Sequence, residues 1–423
     1  VARTLAAEKR AAGYAGEVRC RRVESKLEVR AILHEIAAAG ERIDELHFVG
    51  HSGMYGPMFG TIAFPEQLSP WEWETLAIPF APGARAFFHC CRSARWFAPF
   101  FARTFGVPAG GFFWYTTFST SRTRYRRERR EPEGVVEAPL YTIGCKGRKS
   151  HGWLAAARKR AGLMPAERMR MFDPAPPEGD PTYDPVAELY DRTFADIRVR
   201  IDEWRWLLRH LPPAEAASER SGLRLLDIGC GNGALLSELA PRLAYGAGVD
   251  ESAAILERAR RRNAEHPQIE LFQVDSPHLP FPDAAFDVAV SLLSFRYLDW
   301  DPLMAEIKRV VRPGGKLLIV DMVTVPLRAR ELPAFLRDKI RGVLQRWRNP
   351  AFHRDLDRLV AHPDWKTMLR YNPIRSEHEM KWYLESRFKG REVEILNYGW
   401  HARTLAFDAG SVENGIDVKL TYP

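Results

Sequence analysis

Leu225-Leu226-Asp227-Ile228-Gly229-Cys230-Gly231-Asn232-Gly233 decides how more than half of this chain folds. An apolar run that ends in an acid and then passes through three glycines predicts a buried strand turning straight into a helix. Glycine admits the left-handed backbone and lets the main chain come within contact distance of a ligand. The helix N-terminus that follows offers free N–H groups and a partial positive charge. A dinucleotide fold spaces its glycines as G-x-G-x-x-G and seats a pyrophosphate on the helix. This chain departs from that spacing with G-x-G-x-G, and Asp227 stands two residues ahead of it.

The downstream sequence extends the pattern. Tyr245-Gly-Ala-Gly-Val-Asp250 predicts a second strand whose terminal acid is placed to accept two ribose hydroxyls. Ile269-Glu-Leu-Phe-Gln-Val-Asp275-Ser276 predicts a third, with an acid within reach of an adenine amino group. Leu279-Pro-Phe-Pro-Asp-Ala-Ala-Phe286-Asp287 leads into the strand Val288-Ala-Val-Ser291, and Arg312-Pro313-Gly314-Gly315 precedes a fifth, Lys316-Leu-Leu-Ile-Val-Asp321. In this order and spacing the set resembles the metabolite-modifying branch of the class I S-adenosylmethionine-dependent methyltransferases, over residues 181–423. A Rossmann-like domain for a different nucleotide is the alternative.

The resemblance implies an α/β, Rossmann-like fold with a seven-stranded sheet, S-adenosylmethionine as cofactor and no metal. That ligand has no phosphate but has a charged amino-acid end. Gly229, Gly231 and Gly233 would line that end, and Asp227 would orient its amino group. Asp250 would bind the ribose with Glu251 beside it, Asp275 and Ser276 would frame the adenine, and Ser291 would lie at the mouth of the fourth strand. The stretch from Tyr183 through Tyr190 to Phe194 opens a helix expected to run towards Leu211. In the family such a helix closes over the cofactor, which puts Tyr183 and Tyr190 beside a sulfonium that favours an aromatic face. Plain packing is the other reading of either tyrosine.

An insertion at 323–388 alternates helical patterns before Val393–Tyr398 and Arg403–Phe407, which predict an antiparallel hairpin closing the sheet. It falls over the strand C-termini, where α/β ligands bind, and is read as the lid over the acceptor. Methyl transfer needs the acceptor in line with methyl and sulfur, and a base only where the acceptor is protonated. His278, His353, His362 and His401 are the candidate bases, and each also fits a surface or packing role.

At 423 residues, two domains are expected. With 46% apolar residues, no uninterrupted apolar run near the ~18 needed to span a bilayer and no signal-peptide core, the chain predicts a cytoplasmic protein without a membrane partner. Five cysteines without disulfide-framework spacing agree. A first residue that is valine and the lack of a clean first strand point to a trimmed or misannotated start. The net charge of +8 is uneven. Residues 121–180 carry 14 basic and 8 acidic side chains, whereas 181–423 carry 35 of each. The stretch 121–180, with Arg122-Thr-Arg-Tyr-Arg-Arg-Glu-Arg-Arg130 and Pro/Gly-containing sequence after it, is expected to be a basic linker, a polyanion contact being the alternative. The neutral C-terminal half argues against nucleic acid, as does Ser291-Leu-Leu-Ser where base-amino methylases carry Asn/Asp-Pro-Pro-aromatic. The acceptor is then a small molecule or a peptide, and the oligomeric state is not legible.

Residues 1–120 predict a smaller α/β domain with a parallel sheet. Leu27, Val29, Ile32, Leu33 and Ile36 mark one face of a helix, and Asp44–Gly50 a strand ending at His51-Ser52-Gly53. Pro70–Leu76 predicts a helix behind a Ser-Pro start, Arg85–His89 a strand ending at Cys90-Cys91-Arg92-Ser93, Ala94–Thr104 a helix and Gly111–Thr116 a strand. Strands ending in His-x-Gly and Cys-x-Ser are weakly similar to the caspase-like cysteine peptidases. The resemblance implies a His51–Cys91 dyad, with a backbone N–H at Gly53 for the oxyanion. Ser52 splits the expected His-Gly pair, the Gln-Ala-Cys and Cys-x-Gly signatures are missing, and no specificity acid is evident. The domain is therefore read as non-catalytic, binding a substrate or partner, with an active Cys-His hydrolase as the alternative. Zinc held by His51, His89, Cys90 and Cys91 is disfavoured, because adjacent residues on a strand point to opposite faces.

Overall fold

Ser25 caps the helix that begins at Lys26 by accepting the Glu28 N–H, and Ser69 and Glu72 form a reciprocal capping box, so these helices start where the sequence places them. The computed structural model describes residues 1–61, 63–126, 139–145, 157–158, 161, 163, 166–212 and 222–416. The chain divides into two units, Val1–Pro176 and Pro177–Leu420.

The N-terminal unit runs through α1 (Ala2–Ala11), α2 (Lys26–Ala38), β1 (Ile43–Val49), β2 (Ser52–Gly53), β3 (Gly56–Gly60), β4 (Pro65–Gln67) and α3 (Pro70–Glu74). It continues as β5 (Phe80–His89), α4 (Phe97–Phe105), β6 (Ala109–Gly111), β7 (Tyr115–Ser119), β8 (Tyr141–Cys145), β9 (Ala166–Glu167) and β10 (Arg170–Phe172). The main sheet has the order β1-β5-β6-β10, the first three parallel and β10 antiparallel. Its core is aromatic: Phe88, Phe97, Phe101 and Trp73 are fully buried, and Phe88 meets Phe97 and Phe101 edge to face at 4.7 and 4.9 Å.

Two expectations change here. The strand expected at Gly111–Thr116 is two strands in different sheets, β6 and β7, because Ser93 Oγ accepts the Phe112 N–H and turns the chain between them. The stretch 121–180 is not linker throughout. Tyr141–Cys145 pairs with β7 along its length, and Arg170–Phe172 adds β10 to the main sheet. Apolar residues at Ile143 and Phe172 give those segments something to bury, which the charge count of the stretch conceals. Residues 127–138, in the basic run, lie outside the described residues.

The C-terminal unit comprises α5 (Ala187–Thr193), α6 (Ile201–His210), β11 (Leu223–Ile228), α7 (Ala234–Leu239), β12 (Leu243–Asp250), α8 (Ala253–Arg262), β13 (Ile269–Gln273) and β14 (Phe286–Leu292). Then follow α9 (Trp300–Val310), β15 (Val311–Thr324), α10 (Leu332–Arg348), α11 (Pro350–Ala361), α12 (Pro363–Tyr371), α13 (Glu377–Arg387), β16 (Glu394–Tyr398) and β17 (Ala402–Ser411). The sheet has seven strands in the order β13-β12-β11-β14-β15-β17-β16. β11 to β15 run parallel to one another, and β17 is antiparallel to both β15 and β16. Both faces are covered: Leu226, Ile228, Ala289 and Ile319 belong to one core, and Leu225, Val288, Val290 and Leu318 to the other. That is why these strands read as continuous apolar runs. The order reverses beside β11, whose C-terminal end, like those of its neighbours, opens where open α/β sheets bind ligands.

The expected single helix from Tyr183 to Leu211 is broken. α5 ends at Thr193, Asp196 turns its carboxylate back to the Arg198 N–H, and α6 begins at Ile201. A side chain that satisfies the backbone locally competes with helix continuation.

Candidate functional site

The loop after β11 is shaped by its glycines. Gly229, Gly231 and Gly233 have φ of 70°, 53° and 69°, a region costly for residues with a Cβ. Space divides them further. A Cβ at Gly229 would lie 2.3 Å from the Ser294 Cβ, and one at Gly233 2.5 Å from Asn263 Nδ2. A Cβ at Gly231 would meet only Tyr190, at 3.4 Å from its hydroxyl. Gly229 and Gly233 are thus demanded by the protein's own packing, while Gly231 faces the opening under Tyr190.

Two carboxyls flank this loop. Asp227 is only 2% exposed at the strand end, and its carboxyl makes no hydrogen bond or ion pair among the described residues. Burial, then the charge of Asp250, pushes its pKa up to about 8. Asp250 ends β12 and accepts the N–H groups of Gly231 (2.9 Å) and Ser252 (3.0 Å), so it fixes the loop's shape. Burial raises its pKa against the pull of these bonds. Glu251 and Asp275 stand exposed nearby, Ser276 is half-buried, and Asp184 is tied to the Ser252 hydroxyl. The resulting acidic rim suits hydroxyl and amino donors.

Aromatic rings gather over the loop. Tyr183 packs against Tyr190, Tyr297 and Trp365 with centroids 5.8, 6.2 and 5.8 Å away, and burial raises its pKa strongly. Asn372, just past α12, donates to the Pro181 carbonyl at 2.9 Å and holds the approach to Tyr183. Asn232 anchors α5 to the loop, donating to Asp191 Oδ1 (2.9 Å) and the Phe194 carbonyl (3.1 Å). Arg262 clamps the same carboxylate from α8 at 2.6 Å.

Sequence reasoning missed three residues here. Arg200 lies over the Phe194 ring at 3.9 Å, forms no ion pair among the described residues and acts electrostatically on Tyr190. Arg296 is buried against Asp321, which accepts from both its backbone and its guanidinium. Trp365 comes from the insertion. No spacing rule places Arg200, Arg296 or Trp365.

The other expected site residues fare unevenly. Ser291 is fully buried, bonded to Ser294 Oγ at 2.7 Å; Ser294, which donates to the Ile228 carbonyl at 2.6 Å, is the hydroxyl against Gly229. His362 caps α12, its Nδ1 accepting the Asp364 N–H at 3.3 Å, which accounts for it structurally. His353 packs beside Phe352 on α11 in a surface notch of about 510 Å³ lined by Arg346, Arg354 and Arg358, and burial lowers its pKa. His278 is exposed and near Glu306, and His401 is exposed beside Trp400 on the β16–β17 turn.

In the N-terminal unit the parallel register Val49↔His89 puts His51 and Cys91 just beyond two paired strand ends. The Cys91 thiol accepts the Thr116 N–H at 3.3 Å and lies 3.2 Å from its hydroxyl. Ser52 Oγ donates to the Cys91 carbonyl, and Gly53 pairs with Gly56 in the short β2–β3 ladder. Cys90 is fully buried, its thiol pushed up to about 12 by burial, so it is inert packing.

Residues 226–319 match a methyltransferase domain family. The chain is similar to a demethylmenaquinone methyltransferase of Clavibacter sepedonicus, 32% identical over 34% of this chain and 58% of that protein. It is also similar to the 27-O-demethylrifamycin SV methyltransferase of Amycolatopsis mediterranei, 33% identical over 37% of this chain and 62% of that protein. The chain thus spans about three-fifths of the length of these two relatives. A crystal structure of a SAM-dependent methyltransferase from Aquifex aeolicus aligns with 55% of this chain and 100% of its own, at 16% identity and a TM-score of 0.35. Residues 226–319 of the C-terminal unit are therefore similar to methyltransferase domains.

Proposed function

We propose that this chain binds S-adenosylmethionine at the loop after β11 and methylates a small molecule. The observation that carries the reading is the Asp227 carboxyl, without a partner among the described residues, beside a glycine loop that Asp250 braces through the Gly231 N–H. When bound, the cofactor supplies an electrophilic methyl group on a cationic sulfur. Asp227 would take its ammonium and Arg200 its carboxylate, each charge meeting a side chain that has no ionic partner of its own. Asp250, with Glu251 beside it, would accept the ribose hydroxyls, and Asp275 and Ser276 would frame the adenine. Tyr183, Tyr190, Tyr297 and Trp365 would face the sulfonium and shut out water.

The acceptor would enter under the inserted helices α10 to α13, which act as the lid. The two relatives are named for a quinone precursor and a rifamycin, both small molecules, and that supports a small-molecule acceptor here over a peptide. Orienting the acceptor in line with the methyl carries much of the rate in such a reaction. All five cysteines are free thiols, which supports a cytoplasmic setting.

Asp250→Ala tests the cofactor site. Loss of hydrogen bonds to a charged group, worth roughly 1.5–3 kcal/mol, should weaken S-adenosylmethionine by about tenfold or more in calorimetry. Unchanged affinity in a folded variant overturns the assignment.

For the N-terminal unit the reading is a caspase-like, non-catalytic domain that delivers a substrate or partner. A second reading, an active Cys-His hydrolase, is favoured by the strand register at His51 and Cys91 and by the Thr116 N–H on the thiol. A chloromethyl ketone that labels Cys91 only when His51 is intact would establish the hydrolase.

A further inference from the structure

Helix α10 packs one side against the C-terminal unit and leaves an apolar stripe uncovered on the other. Phe335 is buried, Asp338 Oδ2 accepts the Tyr398 N–H of β16 at 3.0 Å, and Arg341 pairs with Asp202 of α6. On the far side Leu332, Leu336, Ile340, Val343, Leu344 and Trp347 stand exposed, Trp347 by 84%. At about 100° per residue they fall in one stripe roughly 120° wide along a helix about 25 Å long. By the same geometry Arg337 and Arg348 follow one border of the stripe, with Arg337 also paired to its neighbour Asp338, and Lys339 and Arg346 follow the other, with Arg346 also paired to Asp357. The Phe335 ring lies 5.4 Å from that of Trp400, which is 58% exposed and adds a second indole beside the helix.

Charge is concentrated at the same place. Residues 328–361 hold nine basic and four acidic side chains, although 181–423 balances at 35 of each. Soluble monomers rarely leave so long an apolar stripe bare.

We propose that α10 is an in-plane anchor that docks this enzyme on an anionic lipid bilayer. Leucine, isoleucine and valine would enter the acyl boundary, the two tryptophans would sit at headgroup level, and the flanking cations would reach up to lipid phosphates. A second copy of the chain fits less well, since it would bring one basic border against another. No described helix is long and apolar enough to cross a membrane, and an in-plane helix needs no such length. The expectation of no membrane partner rested on spanning alone.

The test is co-sedimentation of the full chain with vesicles of phosphatidylcholine, with and without phosphatidylglycerol. The protein should pellet with the anionic vesicles, much less with neutral ones, and binding should weaken as salt rises. The double variant L344Q/W347S should lower the apparent affinity by about tenfold or more, and its unchanged circular dichroism should show an intact fold. The triple variant R122Q/R124Q/R126Q, in the N-terminal unit, should bind like wild type. The proposal is overturned if neither vesicle binds, if L344Q/W347S binds undiminished, or if the arginine variant alone abolishes binding. It is equally overturned if wild type is a dimer in sedimentation equilibrium that L344Q/W347S makes monomeric without any vesicle binding. In that case the stripe is a contact between two copies.

Discussion

Asp227 is held protonated by its surroundings, which makes its titration a readout of ligand binding. Its folded pKa of about 8 lies far above the ~3.9 of an unfolded aspartate. The folded state therefore keeps a proton that the unfolded chain loses, and the ligand-free unit forfeits stability as pH climbs from about 4 towards 8. An ammonium group beside Asp227 would reverse this by ionising the carboxyl, so binding should release a proton. S-adenosylmethionine affinity should rise several-fold between about pH 6 and 7.5 in wild type, below the amine's own pKa. Asp227→Asn should bind more weakly and with a flat profile. Calorimetry in two buffers of different ionisation enthalpy checks both, and a pH-dependent Asp227→Asn would remove Asp227 from the role.

The strand pair β1–β5 carries an acid-sensitive contact of its own. His47 Nδ1 lies 3.1 Å from His89 Nε2, and His47 stacks on Phe87 at 4.6 Å. Burial, then His47 and Arg122, depress His89 to about 3; burial also lowers His47 against the pull of Glu45, which pairs with Lys9 of α1. A histidine depressed in the folded state contributes stability that is whole above about pH 6.5 and declines as pH falls towards 3. The melting temperature of the N-terminal unit should therefore drop between pH 6.5 and 5, and His89→Phe should flatten the decline. A decline of equal slope in the variant would locate the sensitivity elsewhere. Helices show a matching economy: α5 is too short to persist alone, and Asn232 and Arg262 hold it against the glycine loop.

Each unit of the whole molecule has its own buried core, so each is expected to melt cooperatively. Calorimetry should resolve two transitions, of which S-adenosylmethionine raises only one, by about 2.7 kcal/mol of stabilisation at a hundredfold excess over Kd. If both rise equally, the units are not independent. Residues 181–423 alone should bind the cofactor but turn over the native acceptor poorly, and Cys91→Ser in the full chain should cost little methyl transfer. A fully active truncated enzyme would refute the delivery role of the N-terminal unit.

Short-range chemistry wrote much of this protein plainly into its sequence. The glycines after β11, the acid ending β12, the capped α3 and the hairpin β16–β17 are legible because a left-handed turn, a strand end and a helix cap each have local residue requirements. The apolar runs of the sheet were legible because both of its faces are covered. Other features depend on neighbours far along the chain. β8 and β10 sit in a stretch whose charge suggests a tether, and they are strands because β7 and β6 give them edges to pair with. That Ser291 is buried and bonded to the Ser294 hydroxyl is likewise set by packing and not by spacing along the chain. Arg200, Arg296 and Trp365 meet Tyr183 and Tyr190 from three separate segments, and no periodicity encodes such a convergence. Sequence alone determined where the backbone had to turn and which faces had to be buried. Tertiary packing decided which polar groups were already satisfied and which remained open to a ligand, because hydrogen-bond partners are set by proximity in space.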